Sequence, residues 1–132
     1  MRPNRATMIG VGLLKISAVY MVVGAVLGLV MGISSNFSLS SVHSHILLLG
    51  WLTMAVTGIV YLLMPGCALN RLARLHFWGH NLGLPVMMAG LALQSYGQEN
   101  TAPVIAAGSI LVLVSLLLFA INLSLYGRLD RP

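Results

Sequence analysis

The chain has 132 residues, 58% hydrophobic and only 7% charged, where a soluble domain carries about a quarter charged residues. One core of that size cannot hide so much apolar surface, which excludes an ordinary soluble globule and makes lipid the solvent for most of the chain. The net charge of +5 would suit nucleic acid in a soluble protein, but the basic residues lie almost wholly outside the apolar runs, so a nucleic-acid partner is set aside.

In chain order, a head bearing Arg2 and Arg5 leads into a first apolar run over 8–33. The run is too long for the core of a secretory leader and lacks a small-x-small cleavage site at its end, so it reads as a span. Lys15 lies where a long stem can snorkel to the interface. Gly24, Gly28 and Gly32 mark a face for close helix packing. A connector without Lys or Arg, "SSNFSLSS", precedes the second run, 42–64, which stops at Pro65-Gly66. Arg71 and Arg74 precede the third run, 77–96, where Pro85 predicts a kink. The uncharged-to-acidic connector "GQENTAP" leads to the fourth, 102–126, followed by Arg128 and Arg131. Each run meets the length of about 20 residues that a bilayer crossing needs. Helix is the state that satisfies the backbone in lipid. The expectation is one all-α integral membrane unit over 1–132, built as two successive helical hairpins. The positive-inside rule places both termini in the cytoplasm. The single cysteine, Cys67, excludes an internal disulfide and a Cys-rich metal site.

The chemistry-bearing residues are histidines. His43 and His45 fall in the first turn of the second span, where imidazole is costly to bury in hydrocarbon. Residues two apart on a helix point roughly 200° apart. One metal therefore does not readily take both, and two separate sites or one site shared between neighbouring copies remain. The simpler reading is hydration at the headgroup level. The face of His43 continues through Leu47, Gly50, Met54, Thr57 and Tyr61. Gly50, followed by Trp51, and Gly58 leave room for a helix or a flat cofactor. Thr53 and Thr57 are expected to bond back to helix carbonyls rather than to form a proton file. Met54, Met87 and Met88 read as core fillers.

A second pair, His76 and His80, is spaced i, i+4 and can share a metal. His76, beside Arg74 and Trp78, is expected to anchor at the interface. His80, one turn deeper beside Asn81, is expected to face protein. About 30 Å of helix would separate His43 from His76, so the two pairs are not expected to share a cofactor. Glu99 and Asp130 are the only acids and neither is near. A carboxylate-bearing metal site and acid–base catalysis are therefore not expected.

The stretch "HSHILLLGWLTMAVTGIVYLLMP" resembles the tenth helix of the catalytic subunit of haem–copper oxidases, most nearly the C-family (cbb-type) enzymes and the nitric oxide reductases. Its H-x-H-x-x-x-x-G pattern stands here at His43, His45 and Gly50. The following "LHFWGHNLGLPVMMAGLAL" is similar to the family's eleventh helix, with Phe77, Trp78, Asn81 and Gly83 in an F-W-x-x-N-x-G pattern. The resemblance covers residues 41–97 and reaches the first and fourth spans only by position and hydrophobicity. It implies one four-helix arc, equivalent to helices nine to twelve, in a bacterial inner membrane. It also implies haem b on His43 and His45, lined by Gly50 and Trp51, with quinol or cytochrome c as redox partner. The histidines that hold copper in the family, including a His-His pair, have no counterpart, so copper is not favoured and one copy is not expected to be an oxidase. Because the family's arcs are related by pseudo-threefold symmetry, a homotrimer could supply all three, with a haem between His43 of one copy and His45 of the next. The implied function is electron transfer or binding of a diatomic gas. The rivals are a cofactor-free accessory partner of a terminal oxidase and a haem or metal carrier using His76 and His80.

Overall fold

The computed structural model describes residues 5–127, and every regular element there is a helix. Arg2, Arg128, Asp130 and Arg131 lie outside the described residues, and with them most of the charge asymmetry expected at the termini. Helix α1 runs over Arg5–Ser34. The second helical rod comprises α2 (Ser40–His45), a π-helical segment (Ile46–Thr53) and α3 (Met54–Leu63). A short α4 (Pro65–Ala68) follows, then α5 (Arg71–Ser95) and α6 (Ala102–Tyr126).

Among the described residues, three helical stretches are long and apolar enough to cross a bilayer: Thr7–Ser34, Ser40–Leu63 and Ala102–Tyr126. The expected third span lies in α5, whose 25 residues reach about 37 Å. Arg71, Arg74, two histidines, Asn81 and Gln94 dilute its apolar content. The molecule is thus a multi-pass membrane protein in which α5 is the most polar of the long helices.

The helices pair as two hairpins, α1 with the second rod and α5 with α6. Without water to drive helices together in lipid, close backbone approach and polar contacts carry the association. Both hairpins use glycine for this. A Cβ on Gly58 would lie 2.9 Å from the Gly10 carbonyl oxygen, and one on Gly83 would lie 3.0 Å from that of Gly108. The glycine face of α1 is used within the chain: Leu47 fills the space at Gly24 and the His43 ring that at Gly28, while Gly32 meets nothing. Outward-facing Val22, Leu29, Leu113, Leu117 and Ile121 present the apolar coat that lipid requires. Lys15 is exposed, free to reach the interface.

The rods end where the chemistry of the sequence says they should. Met64 leaves helical geometry (φ −127°, ψ 76°) before Pro65, as the residue preceding proline is pushed to do. Asn70 caps α5, its side-chain oxygen accepting from the Ala73 N–H at 3.0 Å. Its amide nitrogen donates to Asn122 Oδ1 at 2.6 Å, and Asn122 Nδ2 donates to the Cys67 carbonyl at 2.8 Å. This clasp ties the α4–α5 corner to α6 through a fully buried Asn122. α5 continues through Pro85 as one helix.

Candidate functional site

The two histidine pairs occupy contrasting environments. His43 is half-buried and packs its ring on Gly28 of α1. Its Nδ1–H donates to the Gly24 carbonyl at 3.0 Å. His45 is likewise half-buried, and its Nδ1–H donates to the Ser41 carbonyl at 2.8 Å, a bond on the exposed side of the turn. A carbonyl can only accept, so both bonds put the proton on Nδ1. In the neutral form of such a ring the bare lone pair is on Nε2, the usual second-sphere arrangement of a ligating histidine. The His43 ring turns toward α1, whereas that of His45 bonds back to its own helix. Gly50 is buried, and its space is filled by the Tyr20 ring of α1, 2.6 Å from where a Cβ would stand. Trp51 is 39% exposed.

His76 and His80 are both fully buried. The expectation of an interfacial anchor at His76 is corrected: only Trp78 has that character, at 61% exposure. Ala73, His76, His80, Leu84 and Met87 recur at three- and four-residue spacing and form the inward stripe of α5. Trp78 lies off that stripe. His76 Nδ1 is 3.1 Å from the Tyr61 hydroxyl. His80 Nε2–H donates to the Leu49 carbonyl at 3.1 Å. The buried pair thus bonds to the second rod at Leu49 and Tyr61 and fastens one hairpin to the other. Leu49 is only six residues beyond His43, so His80 lies nearer the level of the first pair than the sequence suggested. His76 Nε2 and His80 Nδ1 are buried with no hydrogen-bond partner. Phe119 of α6 closes over both His76 (ring centroids 5.2 Å) and Tyr61 (5.6 Å, edge to face).

Two features of this region escape a reading by periodicity. The π-helical segment has its Leu49 carbonyl bonded by His80, and such widened turns recur at functional sites. No residue type signals it. The Asn70–Asn122 contact joins residues 52 apart in sequence, a pairing that only the fold supplies. The threonines behave as expected. Thr53 Oγ1–H donates to the Leu48 carbonyl and Thr57 Oγ1–H to that of Met54. Cys67 is buried, and burial pushes its thiol above the ordinary cysteine range, so it is held as a protonated packing group.

No family model, curated protein or solved structure matches the chain.

Proposed function

We propose that the protein is a b-type haem protein of a bacterial inner membrane that works as a homo-oligomer, with a trimer favoured. The observation that carries this reading is the paired Nδ1 bonding of His43 and His45, which leaves both Nε2 lone pairs as ligands. Because the two rings point apart, one copy cannot close both on a single iron. His43 of one copy and His45 of the next can, across a repeating head-to-tail contact that forms a ring. Trp51, 39% exposed, is the ring that would wall the porphyrin, whereas Gly50 is committed to Tyr20. The donor set, two neutral imidazoles with carbonyl-bonded Nδ1–H groups, fits the axial ligands of a b haem. Bound there, the group would supply one-electron transfer, or diatomic gas binding where an axial position is open.

The residues of the chain do the holding. Gly24 fixes the tautomer and rotation of His43. Ser41 does the same for His45. Gly28 lets the His43 ring lie against α1, since a Cβ there would come within 2.8 Å of Cε1. Both termini face the cytoplasm in this reading, with α5 as a fourth span, and quinol or cytochrome c is the redox partner. The rival role, a cofactor-free accessory docking onto an oxidase through the α1 glycines, is less well supported. That face is filled within the chain at Gly24 and Gly28.

The test is the optical spectrum of protein purified from haem-replete cells, followed by His43→Ala and His45→Ala singly. A reduced b-type α band in the parent, lost in each variant, is expected. Colour kept in both variants would reject the assignment.

A further inference from the structure

The pair His76 and His80 is left unused by the haem reading, and it presents an unsolved physical problem. Both side chains are fully buried, yet each keeps a ring nitrogen without a partner. Buried polar atoms in native proteins are nearly always satisfied, by protein, by water or by an ion. For His80 the identity of the orphan is fixed. Its Nε2–H is spent on the Leu49 carbonyl, so in the neutral ring Nδ1 is a bare lone pair aimed into the protein. For His76, the Tyr61 hydroxyl can accept as well as donate, and the tautomer that donates to it from Nδ1–H leaves Nε2 bare. The rings are successive members of one helix face, with centroids 5.7 Å apart. That separation is near what two imidazoles need to share one ion through bonds of about 2 Å.

We propose that His76 and His80 together bind one monovalent soft cation, Cu(I), inside the helix bundle. The donor set selects it. Zinc wants four ligands in a tetrahedron, and no group of three or more His, Cys, Asp or Glu side chains is placed to hold an ion among the described residues. A divalent ion with two neutral ligands would also leave two uncompensated charges in a low-dielectric interior, a heavy penalty. Cu(I) accepts two imidazole nitrogens, brings a single charge and displaces no proton from either lone pair. The Phe119 and Tyr61 rings around His76 give that charge a polarisable wall. Tyr61 is a positioning residue: its hydroxyl accepts from Nδ1–H in the His76 tautomer that exposes Nε2.

The observations behind this site are independent of the haem reading, and so is its test. The full chain in detergent, stripped of metal and kept reduced, is titrated with Cu(I) against a chromophoric chelator. One Cu(I) per chain is expected, with X-ray absorption showing two nitrogen neighbours and no sulfur. His76→Leu combined with His80→Leu abolishes binding, and Tyr61→Phe, which keeps both imidazoles, weakens it by about 10- to 100-fold. His43→Ala combined with His45→Ala leaves it intact. Absence of competition with the chelator, as a bridging water alone would give, overturns the proposal. So does copper retained in the folded His76/His80 double variant, a sulfur-ligated absorption spectrum, or preferential retention of zinc. Should the double variant fail to fold, the parent's absorption spectrum and the Tyr61→Phe titration decide the matter by themselves.

Discussion

The two histidine pairs use the same side chain under opposite constraints. His43 and His45 sit two residues apart at the end of a rod, both half-buried, one against a glycine face and one bonded within its own turn. His76 and His80 sit four apart in the middle of the bundle, with no exposure at all. The first pair has every polar need of its Nδ1 groups met locally, within α1 or its own turn. The second pair has its needs met only by the other hairpin, and then incompletely. An outer pair of this kind costs the fold little and is free to serve a ligand supplied by a neighbour. An inner pair is part of what holds the hairpins together, so its chemistry and the stability of the fold are coupled.

That contrast can be broken by substitution. The largest expected effect is on colour: His43→Ala or His45→Ala removes the reduced α band entirely while the chain stays folded, measured by difference spectroscopy and by far-UV circular dichroism. Stability should respond in the opposite order. His80→Ala leaves the Leu49 carbonyl without its donor and opens a cavity, which together should cost about 2–4 kcal/mol in a detergent unfolding titration. Asn122→Ala strips the clasp between the α4–α5 corner and α6 and should cost about 1–3 kcal/mol in the same titration. Tyr61→Phe removes one buried hydrogen bond and keeps the ring, a loss of about 1 kcal/mol. His45→Ala removes only a half-buried ring whose one bond is an exposed contact within its own helix, and should move stability by no more than about 0.5 kcal/mol. If His45→Ala destabilised as much as His80→Ala, the division into an edge pair that costs the fold little and an interior pair that holds the hairpins together would not hold.

The sequence made the lipid-facing fold legible because hydropathy is a local property. The first, second and fourth runs appear as helices at nearly the expected bounds. The opposed directions of His43 and His45 followed from helical periodicity alone. What it could not convey was long-range. His76 looked interfacial because its neighbours in sequence are Arg74 and Trp78, whereas its position on the Ala73–Met87 stripe decides its burial. Gly50 offered empty space to a reader of the sequence, but Tyr20 from another helix occupies it. The π-helical segment and the Asn70–Asn122 clasp arise from contacts between elements. Neither has a residue pattern of its own.

The most direct measurement of the haem assignment is native mass spectrometry of the protein released from detergent, with haem counted in the same spectrum. A closed ring in which His43 and His45 from adjacent copies share each haem predicts a trimer carrying as many haems as chains. Colourless monomers from haem-replete membranes would contradict it.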